Sequence, residues 1–281
     1  LKQNLSKLMF EGPSEDLTLT ANAQPALMAH SIAVLRVLER EGGFVLAEKV
    51  ALVAGHSLGE YSALTAAGAF DLATAARLLR LRGEAMQRAT PPGTGAMAAL
   101  LGAEPEAAAA ICAAARADPE TGRDEVLEVA NDNGGGQVVI SGAAAAVDRA
   151  VAAAPGQGVK RAMRLPVSAP FHCALMAPAA EAMAEALAAA RLNPPVVPVV
   201  ANVSAAKATD PGQIRDLLVR QVTATVRWRE GVAAMAAMGC DLFAELGAGR
   251  VLTGLMKRNA PDATAAAIGT PADVEAFLKT L

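Results

Sequence analysis

Three cysteines in 281 residues are too few and too scattered to organise a fold. Cys112, Cys173 and Cys240 form no C-x-x-C pair and have no histidine at ligand spacing, which argues against a disulfide framework or a zinc site and favours a reducing cytoplasm. Neither sign of charge is in surplus. The 25 Lys and Arg residues stand against 28 Asp and Glu, a formal net charge of −3, so no surface for nucleic acid is expected. An acidic partner would have to meet a local basic patch. Long apolar runs are also lacking, because the alanine-rich stretches are broken by Glu, Arg, Lys or Pro before they reach the length of a membrane span. Leu1 to Met9 read as polar helix rather than as a signal peptide. The chain opens without Met, and further residues are expected upstream.

What is present is a chain that is 53% hydrophobic, ample for a large core. Leu27, Ile32, Leu35 and Leu38 recur at helical spacing over Pro25 to Leu38, ahead of the glycine pair Gly42 and Gly43. The apolar run Val50 to Ala54 predicts a buried strand, Gly59 to Ala67 a helix, and Asp71 an N-cap for a helix to about Ala89. Pro91, Pro92, Gly93 and Gly95 then mark a break. Beyond it the expected order is Ala96–Leu101 strand, Glu104–Arg116 helix, Val126–Ala130 strand, Gln137–Ser141 strand, Ala143–Ala153 helix and Val159–Leu165 strand. This βαββαβ order predicts a ferredoxin-like small domain over 91–167, inserted into an α/β core of 1–90 and 168–281. In that core, helices from Leu175, Asp210, Glu230 and Val251 alternate with strands at Val196–Val200 and Leu242–Glu245, which predicts a mainly parallel sheet.

Gly55-His56-Ser57-Leu58-Gly59 matches G-x-S-x-G between a predicted strand and a predicted helix, the setting in which a serine becomes a nucleophile. The alternative is a serine that merely caps the helix. A serine nucleophile needs a base, and there are only three histidines. His56 abuts the serine and should project elsewhere, and His30 lies within the first amphipathic helix. His172, behind Pro170 and Phe171 on a connecting loop, remains as the candidate base. On the next helix Arg77, Arg80, Glu84 and Arg88 form a polar stripe, whereas Arg82 falls among Leu78, Leu79 and Met86 on the apolar face. An inward guanidinium needs an anion: a structural ion pair, or a substrate carboxylate held in two parallel hydrogen bonds. The glycine-rich segment Asn131 to Gly136 joins two predicted strands and so reads as a tight turn, not a nucleotide loop. Asn131 and Asn133 could border the cleft from it.

With these segments in order, and with Gln24-Pro25-Ala26-Leu27, Glu60-Tyr61, Arg82-Gly83, Gly93-Thr94-Gly95-Ala96-Met97, Gly136-Gln137-Val138-Val139-Ile140, His172-Cys173, Val226-Arg227-Trp228 and Gly249-Arg250-Val251-Leu252-Thr253-Gly254, the chain resembles the malonyl-CoA:acyl-carrier-protein transacylase family over almost its whole length. The resemblance implies Ser57 as the acylated nucleophile, His172 as its base, Arg82 as the malonyl carboxylate anchor and the Leu58 amide as an oxyanion donor. It also implies a hydrolase-like α/β core with the ferredoxin-like insertion, and that the Gln221 backbone carbonyl orients the imidazole in place of a carboxylate. Phe171, an aromatic before the base, favours malonyl over branched acyl groups in related acyltransferases. His56, Asn131 and Asn133 are carried over as substrate-side residues. The family opens with a strand and a glutamine-bearing loop that lends a second oxyanion amide, and that segment has no match here. The implied activity is ping-pong transfer of malonyl from malonyl-CoA to the phosphopantetheine thiol of holo acyl carrier protein for fatty-acid synthesis, by a monomer needing no cofactor or metal. Lys160, Arg161 and Arg164, or Lys257 and Arg258, are candidate docking charges for the acidic carrier. The rival functions are a serine hydrolase or thioesterase acting on acyl-CoA, and a catalytically silent carrier-binding module.

Overall fold

The computed structural model describes residues 1 and 3–280. The chain begins with α1 (Leu5–Glu11), α2 (Ser14–Thr18), α3 (Thr20–Gly42), α4 (Leu46–Lys49), β1 (Val53–Ala54), α5 (Leu58–Ala66) and α6 (Leu72–Arg88). A more compact stretch follows: β2 (Gly95–Leu101), α7 (Pro105–Ala115), β3 (Leu127–Asp132), β4 (Gln137–Ala143), α8 (Ala144–Ala153) and β5 (Arg161–Arg164). The last part runs α9 (Ala177–Ala189), β6 (Val199–Val200), β7 (Lys207–Ala208), α10 (Pro211–Gln221), α11 (Trp228–Ala237), β8 (Leu242–Leu246), α12 (Val251–Asn259), β9 (Thr264–Ile268) and α13 (Pro271–Leu278). Together they make a mixed α/β fold. No helix among the described residues is long and apolar enough to cross a membrane.

Two helices do most to shape the site. Met28, Ile32, Leu35 and Leu38 form the buried stripe of α3, which ends where Gly43 turns left-handed at φ 61°. Helix α6 starts on Asp71, whose carboxylate accepts the Thr74 amide at 2.8 Å. The two helices cross at Gly83, where a Cβ would fall 2.5 Å from the Ala21 Cα. Only glycine permits that approach, and it brings the neighbouring Arg82 against Gln24 of α3. Around this crossing Tyr61, Leu64, Phe70, Leu79, Met183 and Val199 share the largest core cluster.

The middle stretch has a separate core of Leu100, Ile111, Ile140 and Val147. Its four strands form an antiparallel sheet in the order β3-β4-β2-β5. The turn between β3 and β4 is tight, with Gly134, Gly135 and Gly136 all at positive φ (76°, 60° and 71°). A bridge from Asn131 to Val226 ties this sheet to the rest of the molecule.

The large sheet is less continuous than alternation of elements predicts. Strand β1 pairs with β6 in parallel over two residues, β7 joins β6 antiparallel, and β8 with β9 make a separate parallel pair. The strand predicted over Val50–Ala54 narrows to Val53–Ala54, and the one over Val196–Val200 to Val199–Val200. Val196 is 61% exposed and spends its amide on the Ala67 carbonyl of a loop, so its apolar character marks no strand. Strand β9 and helix α13 lie beyond the last predicted element. Thr264–Ile268 is mostly alanine, a poor strand former, and becomes strand through pairing with β8.

Candidate active site

The turn between β1 and α5 is held in an unusual conformation. Ser57 sits at φ 53° and ψ −111°, a region costly for any residue with a Cβ. Gly55 makes the turn possible, because a Cβ there would lie 1.9 Å from the Gly59 carbonyl oxygen. A Cβ on Gly59, by contrast, would meet nothing within 4 Å, so close packing makes no demand for glycine there. Asn202, buried just past β6, pins the turn: its Oδ1 accepts the Ser57 amide at 2.7 Å and its Nδ2 donates to the Gly55 carbonyl at 2.8 Å.

Although Ser57 occupies the N-cap position of α5, its side chain makes no capping bond. Its Oγ lies 2.7 Å from His172 Nε2 instead. The simple capping alternative therefore has no support in the geometry. The Leu58 amide opens the helix and donates to no protein atom among the described residues, so it is free to face negative charge developing at an acylated serine.

His172 is itself at positive φ, 59°, on the loop before α9, and is 3% exposed. Its Nδ1 is 2.8 Å from the Gln221 carbonyl oxygen. A carbonyl can only accept, so Nδ1 carries the proton and Nε2 presents a lone pair to the Ser57 hydroxyl. Burial, reinforced by the nearby Arg82 charge, pushes the imidazole pKa down to about 3. The resting ring is neutral, as a base must be.

Arg82 is the largest fully buried side chain, 1% exposed. One terminal nitrogen donates to Gln24 Oε1 at 2.8 Å; the other donates to Gln221 Oε1 at 2.9 Å and Ser57 Oγ at 3.1 Å. Its Nε has no partner, and none of the ion pairs among the described residues includes it. The structural ion pair weighed from the sequence is absent among the described residues. Arg80, on the predicted polar stripe, does pair with Glu84 at 2.5 Å.

The remaining sequence-derived candidates lie around this centre. His56 turns from the serine, with Nε2 2.8 Å from Asn133 Oδ1 and its ring tilted against Trp228. Asn131 is buried and enters through its backbone bridge to Val226. Phe171 is partly buried between the main core and the patch formed by Met97, Ala130 and Val139. Neither Asn131 nor Phe171 makes a hydrogen bond to Ser57, His172 or Arg82.

Three residues had no role assigned from the sequence. Gln24 orients Arg82, Asn202 pins the serine turn, and Glu60 accepts the Gln221 side-chain amide at 2.7 Å and the Asn202 backbone amide at 3.1 Å. Asn202 carried one usable signal, since it follows a predicted strand and ligand sites gather at the carboxyl ends of strands. Glu60 stands three residues after Ser57 and so shares its side of α5.

A family model described as the acyl transferase domain matches residues 3–279. The chain is 46% identical over 279 residues to the malonyl CoA-acyl carrier protein transacylase of Escherichia coli, covering 99% of this chain and 87% of that protein. It is 43% identical over 281 residues to the protein of the same name from Bacillus subtilis, covering 86% of it. Among solved structures, an acyl-carrier-protein-S-malonyltransferase from Bartonella henselae superposes with a TM-score of 0.94 at 52% identity, covering 99% of this chain and 87% of that one. A malonyl-transacylase in complex with a holo type II polyketide synthase acyl-carrier protein superposes with a TM-score of 0.93 at 42% identity, covering all of this chain and 87% of that one.

Proposed function

The chain belongs to the acyl transferase domain family, and from that membership and the site geometry we propose that it passes malonyl from malonyl-CoA to the phosphopantetheine thiol of holo acyl carrier protein, supplying malonyl carrier for fatty-acid synthesis. One observation carries the choice of acyl group. Arg82 is a fully buried guanidinium with no carboxylate partner, 3.1 Å from the nucleophilic oxygen. A malonyl ester on Ser57 would bring its free carboxylate within reach of that charge, and the planar fork suits it.

The reaction then runs in two halves. His172 Nε2 takes the Ser57 proton as Oγ attacks the thioester carbonyl, the Leu58 amide stabilises the oxyanion, and the imidazolium returns the proton to the departing CoA thiolate. In the second half the same imidazole takes a proton from the carrier thiol, whose sulfur attacks the serine ester, and gives it back to Ser57 Oγ. The Gln221 carbonyl keeps the ring in the tautomer both halves need. His56 and Asn133 are read as steadying the floor of the cleft beside the serine, and Asn131 and Phe171 as its border.

We read the scaffold as a hydrolase-like core, 1–90 and 168–281, with a ferredoxin-like insertion at 91–167. The β2-α7-β3-β4-α8-β5 order, the β3-β4-β2-β5 sheet and the separate hydrophobic cluster support the insertion; the parallel β1–β6 and β8–β9 pairs support the core.

The test is intact mass with peptide mapping after malonyl-CoA is added, and again after holo carrier protein. A malonyl adduct on Ser57 that discharges onto the carrier is expected. Free malonate without carrier loading would instead make the protein a hydrolase, and no adduct at all would leave only carrier binding.

A further inference from the structure

Arg82 and Glu60 are both fully buried, and one side chain stands between them. Gln221 accepts from Arg82 through Oε1 and donates through Nε2 to Glu60 Oε2, at 2.9 and 2.7 Å. A direct Arg–Glu contact would occupy the guanidinium that a substrate carboxylate must reach. The glutamine relay balances the charge without a carboxylate on the guanidinium, whose terminal nitrogens meet only neutral side chains and whose Nε has no partner.

We propose that Glu60 is the internal counter-charge of Arg82, relayed through the Gln221 amide, and that it sets how strongly the site prefers acyl groups bearing a free carboxylate. This rests on the malonyl-transfer reading above. With Glu60 ionised, Arg82 is already balanced, and an arriving carboxylate leaves a net negative charge beside two buried side chains. With Glu60 protonated, Arg82 is unbalanced and the arriving carboxylate completes the pair.

Glu60 is placed to titrate in the useful range. Burial raises its carboxyl to about 7, against the lowering effect of the Gln221 and Asn202 hydrogen bonds and the Arg82 charge. Its second oxygen has no partner. Around it, α6 contributes Arg82, β1 and β6 have no titratable side chain, and α5 itself adds Tyr61, whose phenol burial holds far above its usual range. Helix α3 turns the neutral Gln24 to the site, while its His30 faces the Gly269 carbonyl. His172, hydrogen-bonded to Ser57 and to the Gln221 carbonyl, is neutral.

The experiment is kcat/KM for malonyl-CoA and acetyl-CoA from pH 6 to 8.5, taken as a ratio so that His172 and the CoA phosphates, common to both substrates, cancel. In the natural protein the malonyl-to-acetyl ratio should fall about tenfold between pH 6 and 8. In Glu60→Gln, which cannot ionise, it should stay flat at the low-pH value. A flat ratio in the natural protein, or an unchanged slope in Glu60→Gln, overturns the proposal. The natural profile decides alone if the variant fails to fold. Absence of any malonyl-Ser57 adduct would instead overturn the transfer reading itself, which the mass measurement detects separately.

Discussion

On the side of the site assigned to transfer in our proposal, Ser57, His172 and the Gln221 carbonyl form a line of neutral groups, whereas on the side assigned to recognition Arg82, Gln24, the Gln221 amide and Glu60 keep charged groups away from water. Gln221 serves both through different atoms: its backbone oxygen holds the imidazole, its side chain the guanidinium. Under that proposal chemistry and selectivity are separable although they meet at one residue. A neutral relay can act on any acyl group; a buried charge discriminates, because an unmatched partner leaves it uncompensated.

The sharpest way to break this division is to remove each half in turn. Ser57→Ala should abolish the acyl adduct and lower transfer by about 10⁴-fold or more for malonyl and acetyl alike, and His172→Ala should also act on both. Arg82→Ala should lower kcat/KM for malonyl-CoA by about 10²–10³-fold, the cost of removing one member of a buried charge pair, while acetyl-CoA is much less affected. Parallel steady-state kinetics on both substrates checks all three. Equal losses on both substrates for Arg82→Ala would show that it belongs to the transfer half and that the division fails.

A subtler effect lies in stability. Glu60 is raised from an ordinary 4.5 to about 7, so the fold favours its neutral form; the stability this gives is full below pH 4.5 and is lost as pH rises through 7. The loss amounts to about 3 kcal/mol. Glu60→Gln escapes it, and its stability relative to the natural protein should rise between pH 5 and 8 by about that amount. His172, with its pKa lowered, destabilises both proteins equally as pH falls below 6.5, and so drops out of the difference. Urea unfolding at the two pH values reads it directly; a difference that does not change with pH would mean Glu60 is neutral throughout.

The two halves also differ in how plainly the sequence announces them. Ser57 stands in a spaced motif, Arg82 interrupts an apolar helix face and His172 is one of three histidines, so each declares itself within one element. Gln24, Glu60 and Asn202 do not. They are ordinary polar residues whose purpose exists only once α3, α5 and the end of β6 converge, and no local pattern records that convergence. The fold divides in the same way. The middle stretch, with regular strands and its own core, is legible nearly to the residue: Gln137–Ser141 is expected and Gln137–Ala143 is found. The larger part is held by two-residue strands and by alanine-rich β9, where long-range pairing rather than propensity decides.

The smallest expected effect lies outside both halves, at the surface an acidic carrier would meet, and it separates the second half-reaction from the first. Of the two basic patches, Lys160 and Arg161 are exposed at the start of β5, and their neighbour Arg164 is engaged with Asp148 at 3.3 Å. Lys257 and Arg258 are exposed on the last turn of α12, which is linked to the Ser57 turn: Arg258 donates to the Gly135 carbonyl, Asn259 to the Asn133 carbonyl, and the Asn133 side chain meets His56 beside Ser57. A carrier docked on α12 would thus have a short path for its thiol. Reversing both α12 charges to Glu should raise the carrier KM a few-fold to about tenfold, more at low salt than at high, because exposed charges contribute about 1 kcal/mol or less each. Acylation of Ser57 by malonyl-CoA should be untouched. The same reversal at Lys160 and Arg161 should matter less, and a larger effect there would move the docking face to the β5 edge of the small sheet.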